Sequence, residues 1–336
     1  MLFCKRRSGH DQQKAGESMK AVLGIDTSCY TTSAALVTVS GRLIASSRRL
    51  LTVEAGERGL QQSQGLFQHV RNLPDMIADV MKKAPDVQIA AVSASTRPRP
   101  AEDSYMPVFR AGESQARAAA ALLCVPFYPV SHQEGHVRAA LVGSEIDRSQ
   151  PFLALHLSGG TTEILLVRDG RIDLLGGSLD LHAGQLIDRT GVRMELPFPA
   201  GPHLEKLAIQ GFEAGLCRSL IGVSIKGVNC CLAGAENKIV GFMHDGLTNE
   251  QIAVEVFDFL SRTIERQIEN ACEATGCRQA LLAGGVASSL LLRNMLQARA
   301  KKRRLDCRLS FARPELSGDN AVGTALLGAE MFRTQE

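Results

Sequence analysis

The chain has 336 residues, of which 45% are hydrophobic and 22% charged, with 31 Gly and no Trp, a composition of soluble α/β proteins that excludes disordered and fibrous classes. A formal net charge of +3 excludes neither a protein that holds an anionic substrate nor one that docks nucleic acid through a local patch. Nine cysteines scattered along a chain without a secretory signal read as reduced thiols, and no run reaches the ~18 apolar residues that span a bilayer, so a cytoplasmic protein is expected. Cys272 and Cys277 are too far apart for a C-x-x-C knuckle, and the adjacent Cys230 and Cys231 diverge.

In chain order, the polar, basic residues 1–18 are expected to be a disordered extension or a mis-assigned start ahead of Met19. "AVLGIDTSCYTTSAALVTVSGRLIASS" then reads as strand, small polar turn, Thr-Thr, β-branched strand, Gly-Arg turn and third strand. A polar helical segment over 63–84 is expected to be interrupted at Pro74, followed by the strand "QIAAVSA" and an Ala-rich helix over 113–124. "FLALHLSGGTTEILLVRDGRIDLLGGS" repeats the strand–turn–Thr-Thr–strand–turn–strand order of the first half. "TNEQ" at 248–251 has capping-box spacing and opens an amphipathic helix to about residue 274. The strand "QALLAGG", the helix "ASSLLLRNMLQARA", the strand "RLDCRLSF" and a final helix "DNAVGTALLGAEMF" complete the chain. One α/β fold used twice is expected, with lobes over 19–149 and 150–336 and a cleft between them.

The turns that follow the first strand of each half face that cleft, making Asp26, Thr27 and Ser28, and the Gly159–Gly160 turn, candidates for handling an anion through close backbone N–H groups. Neither a P-loop nor a Rossmann fingerprint is present.

In "PVSHQEGHVRAALVG", His132 and His136 stand at i and i+4, so a helix stacks both imidazoles on one side where they can share an ion. The zinc-peptidase pattern H-E-x-x-H needs its glutamate directly after the first histidine, where this chain has Gln133; Glu134 lies about 200° around the helix from His132. Two surface histidines making ordinary hydrogen bonds are the alternative. A third ligand is offered by Asp319, which also reads as the N-cap of the last helix.

Seven segments in order, "VLGIDTSCYTTSAALV", "PVSHQEGHVRAAL", "LSGGTTEILLV", "DLHAGQLIDRTG", "PFPAGPHLEKLA", "LLAGGVASSLLLR" and "SGDNAVGTALLG", resemble the universal tRNA threonylcarbamoyl-adenosine transferase family, once named glycoprotease or O-sialoglycoprotein endopeptidase. The resemblance runs from Met19 to about Met331 and implies the duplicated actin/Hsp70/sugar-kinase fold. It implies transfer of threonylcarbamoyl from threonylcarbamoyl-adenylate to N6 of the adenosine beside the tRNA anticodon, with one iron or zinc ion. By it, His132, His136 and Asp319 fall on the metal ligands; His156, Leu157, Ser158, Gly159 and Gly160 on a substrate-contacting turn; Asp188 on the acid that holds the nucleoside; and Gly201 and Ser289 on further substrate contacts. Implied partners are tRNA, an inactive paralogue, an ATPase and the synthase that makes the adenylate.

The chain departs from that pattern at Tyr30 and Thr31, where the family has an acidic pair, at Thr161, where it has His, and at Ser289, where it has Asn. "STRPRPAEDSYMPVF" replaces a Pro-Gly-rich segment, and Arg97 and Arg99 within it are candidates for tRNA or partner contact from an exposed loop. These changes suggest a diverged paralogue, and they leave a regulatory nucleotide- and metal-binding protein as a second reading. A metallopeptidase and a sugar or acetate kinase are the remaining alternatives. His69 is a candidate cleft residue, His182 and His203 are read as packing or solvent residues, and the basic run 301–304 as a solvated helix end.

Overall fold

A computed structural model describes residues 19–28, 30–52 and 60–335. The expectation for residues 1–18 lies outside the described residues. The first sheet contains β1 (Met19–Thr27), β2 (Thr31–Thr38), β3 (Leu43–Leu50), β4 (Val87–Arg97) and β5 (Phe127–Ser131) in the order β3-β2-β1-β4-β5. The second contains β6 (Phe152–Leu157), β7 (Thr162–Arg168), β8 (Arg171–Gly177), β11 (Gln279–Ala283) and β12 (Arg308–Phe311) in the order β12-β11-β6-β7-β8. In each sheet the first three strands form an antiparallel meander and the last two join parallel to the first. A two-stranded hairpin of β9 (Ile225–Lys226) and β10 (Asn229–Cys230) stands apart. The repeated turn signals of the sequence therefore correspond to a duplicated α/β fold.

Helices α1 (Gln62–Lys82) and α2 (Phe109–Leu123) cover one face of the first sheet, where they bury Leu23, Ile25, Leu36 and Val92. The opposite face, carrying Val22, Ala35 and Val37, is covered by the last helix, α10 (Val322–Gln335). The second sheet is covered in the reverse sense. Its Leu153, Leu155 and Leu157 pack toward α4 (Ala183–Arg193), α5 (Gly201–Glu213), α6 (Ala233–His244), α7 (Asn249–Thr275) and α8 (Leu290–Arg303), while Phe152 and Ala154 pack on α3 (His132–Ala140). Each half thus lends one helix to the other half's sheet, and α3 and α10 meet in the middle layer. A Cβ on Gly24 would lie 2.6 Å from Ala325, which is how closely α10 rests on β1.

Several local expectations change. Helix α1 runs unbroken through Pro74, because Pro74 and Val70 lie on its solvent side while Leu73, Met76 and Val80 stay buried beneath. Helix α2 begins at Phe109 rather than 113, and β12 begins at Arg308 rather than 304. The predicted "ASSLLLRNMLQARA" helix divides into a 3₁₀ turn at Val286–Ser288 and α8, whose N-cap is Ser289. The capping box at Thr248 opens α7 as expected and Gly276, at φ 75°, closes it.

In α7, Glu255 is 1% exposed and accepts the N–H groups of Arg218 at 2.9 Å and Leu220 at 2.6 Å, pinning the segment that follows α5. Replacing Glu255 with Ala strands these donors, and we expect a loss of about 1–3 kcal/mol, read as a lower thermal midpoint. An unchanged midpoint would show that water replaces the carboxylate without cost.

Candidate metal centre and cleft

Helix α3 starts at a complete capping box: Ser131 Oγ accepts the N–H of Glu134 at 3.2 Å, and the Glu134 carboxylate accepts the N–H of Ser131 at 2.7 Å. Its first turn therefore fixes where His132 and His136 point, and it commits Glu134 to the helix end. A carboxylate so placed is not the base a peptidase mechanism requires.

Asp319 reaches the same point from the segment between α9 (Pro314–Ser317) and α10. It is not the N-cap of the last helix, which begins three residues later at Val322; Asn320 Oδ1 accepts the Val322 N–H at 3.0 Å instead. His132 Nε2 and His136 Nε2 are 2.9 Å apart, and Asp319 Oδ1 is 3.0 Å from His136 Nε2 and 3.6 Å from His132 Nε2. Among the described residues this is the one group of His, Cys, Asp or Glu whose ligand atoms converge in this way.

Two imidazole nitrogens facing each other at this separation need a proton or a cation between them. Bonds of ~2.0–2.1 Å to a tetrahedral ion put neighbouring ligand atoms roughly 3.3 Å apart, so the three separations suit one ion with nitrogen and oxygen ligands. Burial opposes charge on His132, but the carboxylates of Asp26 and Asp319 outweigh it and hold the ring well above its ordinary pKa. For Asp319 burial is likewise outweighed, by His132 and His136, and its carboxyl sits well below the usual range.

The candidate turn residues separate by direction. Asp26 Oδ1 is 2.9 Å from His132 Nδ1, and Ser28 Oγ donates to Asp319 Oδ2 at 3.0 Å. Thr27 turns away, donating to the Val108 carbonyl at 3.1 Å and accepting the Gly112 N–H at 3.2 Å, so it fastens α2. All three side chains are buried.

His156 joins the metal centre to a cleft. Its ring lies 4.6 Å from that of His136, and burial together with His136 lowers its pKa to about 3. Leu157 points into the core, whereas Ser158, Gly159 and Gly160 turn outward with open space around the two glycines. A Cβ on Gly184 would come within 2.7 Å of Gly159, so only glycine lets α4 close on this turn. The cleft of about 360 Å³ beyond it is lined by Gly159, Asp188, Gly201, Glu205 and Ser289 among others. Burial raises the Asp188 pKa against the N–H groups of Ala200 and Gly201, the first of which donates to Asp188 Oδ1 at 2.9 Å.

Ser289 Oγ accepts from the Leu292 N–H at 3.1 Å and donates to Glu205 at 2.8 Å, so its hydroxyl is committed to the start of α8. Glu205, which also accepts the Leu291 N–H at 2.8 Å, escaped the sequence reading; its signal was the acid one turn into the "GPHLEKLA" helix. Ser95 and Thr324, which support Asp26, carried no local signal.

A sequence model of the family described as tRNA N6-adenosine threonylcarbamoyltransferase matches residues 66–326. The chain belongs to this family. Among solved structures, HypF from T. kodakarensis is similar at TM-score 0.62 and 13% identity over 94% of this chain and 48% of that one. The activator of 2-hydroxyisocaproyl-CoA dehydratase from Clostridium difficile, with bound ADPNP, is similar at 0.52 and 15% over 94% and 96%. A ROK family glucokinase from Streptomyces griseus, in complex with glucose and AMPPNP, is similar at 0.51 and 14% over 92% and 99%. At these identities the likeness shows the fold, an actin-like, sugar-kinase-like architecture of two lobes. In this transferase-family chain, no helix among the described residues is long and apolar enough to cross a membrane.

The remaining candidates lie elsewhere. Arg97 ends β4 and is half-buried, not in an exposed loop, because the strand runs three residues beyond the predicted "AVSA". Arg99 is exposed and pairs with Glu163 of β7 at 2.5 Å, linking the two halves. His69 is wholly buried, its ring nitrogens 2.8 Å from Thr32 Oγ1 and from the Ser28 carbonyl, so it packs α1 under the turn and does not face the cleft. His182 is the N-cap of α4 and His203 is exposed on α5. Tyr30 is exposed beside the turn, and Thr31 is buried. Arg303 ends α8 near Glu265 and Glu269.

His69 makes stability depend on acid. Burial outweighs the Ser28 carbonyl and the charge of Asp26 and lowers its pKa below 6.5. As pH falls through 6.5 the unfolded chain takes up a proton that the folded chain refuses, so stability falls by up to about 1.4 kcal/mol per pH unit until the lowered pKa is reached. Thermal midpoints between pH 7.5 and 5 are expected to drop less steeply in His69→Gln than in the wild type; parallel curves would remove His69 as the cause.

Proposed function

We propose that the chain is a metal-bearing transferase that moves a threonylcarbamoyl group from threonylcarbamoyl-adenylate to N6 of the adenosine beside the anticodon of tRNA. The observation that carries this reading is the 156–160 turn, which begins at the metal centre and ends in the cleft, so that one ligand spanning both would put an acyl group at His132, His136 and Asp319 and a nucleotide at Asp188. Family membership supports the same chemistry.

In this reaction the N6 amine forms a bond to the carbamoyl carbon, the C–O bond to the adenylate phosphate breaks, AMP leaves and the amine gives up a proton. An iron or zinc ion held by His132, His136 and Asp319 would supply polarisation of the acyl group. The backbone of Gly159 and Gly160 can approach the phosphate because no side chain intervenes, and Asp188 accepts from a ribose hydroxyl. Positioning of two reactants in the cleft provides the rate gain without a protein nucleophile. tRNA, a paralogue partner and an ATPase partner belong to this proposal, as does a cytoplasmic location.

A second reading, a nucleotide-binding regulator without transfer, is favoured by Ser289, whose hydroxyl is committed to Glu205 and the α8 cap. One experiment separates them: metal-loaded protein, threonylcarbamoyl-adenylate and unmodified tRNA, with and without partners, followed by nucleoside mass spectrometry. Threonylcarbamoyl-adenosine in the digest is the expected result; adenylate binding without product would select the regulator.

A further inference from the structure

We propose that Asp26 is a positioning residue that sets the ring orientation and the protonated nitrogen of His132, and through them the affinity of the centre for its cation. The inference rests on the reading of His132, His136 and Asp319 as ligands of one ion.

Asp26 sits at the C-terminal end of β1 with 0% of its surface exposed. A carboxylate buried to that degree is costly unless it is paired. Among the described residues its one ion-pair partner is the His132 ring, whose Nδ1 lies 2.9 Å from Asp26 Oδ1. The same oxygen accepts the hydroxyl of Ser95 from β4, and Ser95 Oγ is 3.2 Å from Thr324 Oγ1 of α10. Asp26 Oδ2 is buried without a partner, so the carboxylate has no competing attachment that would swing it away.

An acceptor-only carboxylate at Nδ1 requires the proton on that nitrogen. In the neutral ring, the form that ligates an ion, the lone pair of Nε2 then lies on the opposite edge, the edge that faces His136 Nε2 at 2.9 Å. The Phe109 ring packs beside it, its centroid 5.8 Å from that of His132. The orientation of one ligand on α3 is thereby tied to β1, β4 and α10, the three elements that meet behind the centre. Asp26 is too deeply buried to meet a substrate anion itself, which gives the first residue of "DTSC" a supporting task.

The test uses the full chain and zinc alone, titrated against a chromophoric chelator, in wild type, Asp26→Ala and Asp26→Asn. Asp26→Ala is expected to weaken zinc binding roughly 10–100-fold. Asp26→Asn, which keeps an acceptor oxygen of the same shape but loses the charge, is expected to fall between wild type and Asp26→Ala. In zinc-loaded wild type the Nδ1–H proton of His132 should give a downfield, exchange-protected NMR signal that Asp26→Ala abolishes. Equal zinc affinity in a folded Asp26→Ala, or survival of that signal, overturns the inference alone. Failure of the wild type to bind zinc overturns the ligand reading and this inference with it. Should Asp26→Ala not fold, Asp26→Asn decides: wild-type affinity in that variant overturns the proposal, and reduced affinity at an unchanged thermal midpoint supports it.

Discussion

Replacing His136 with alanine is expected to abolish both metal retention and threonylcarbamoyl transfer. The ring supplies the two shortest contacts of Asp319 and His132 in the centre, at 3.0 and 2.9 Å, and what remains is a single His132–Asp319 pair 3.6 Å apart. Loss of an outer partner costs roughly 10–100-fold in metal affinity, and loss of a direct ligand should exceed the upper end of that range. The helix itself should survive, because its N-terminal capping box and the buried Val137, Ala139 and Ala140 hold it without the imidazole. Metal content after dialysis, with nucleoside mass spectrometry on the same preparation, checks the result. A variant that keeps its metal and its activity would remove His136 from the mechanism.

Gly323→Ala is expected to be the most damaging small substitution outside the ligands. Judged from helix propensity alone, alanine in α10 should stabilise by about 0.8–1.0 kcal/mol. Tertiary packing reverses the sign. A Cβ on Gly323 would fall on the carbonyl oxygen of Gly135 in α3, with the amide of Ala139 only 2.9 Å away, and neither is the yielding end of a flexible side chain. The helices would have to separate, at the ~1–3 kcal/mol or more that overpacking costs. Because His132 and His136 flank Gly135, and Asp319 lies just ahead of α10, separation also pulls the ligands apart. We expect a lower thermal midpoint together with weaker zinc binding. A midpoint above that of the wild type would show that the crossing has slack, and the tight approach would then not be what sets the centre.

Local pattern anticipated much of this. Each half announces its meander through apolar strands broken by small turns, and the equivalent strand orders of the two sheets follow from that repetition. Capping chemistry gave the start of α7, because Thr248 and Gln251 satisfy each other's backbone within four residues. The same locality misled at Pro74, whose effect depends on which side of α1 meets solvent, and at Asp319, which read as a helix cap until Asn320 took that task.

By itself, the sequence determined the α/β class, the duplication and the placing of two histidines on one side of a helix, since all three depend on backbone periods of two and 3.6 residues that neighbours in the chain enforce. The tertiary structure alone decided that α3 and α10 cross between the sheets, that Asp26 lies against His132 and that Glu205 supports the cleft wall. Those contacts join residues far apart in the chain, and they arise where two sheets bury both faces and glycines let the helices between them close. No local pattern encodes that meeting, because its energy comes from packing and burial shared by both halves.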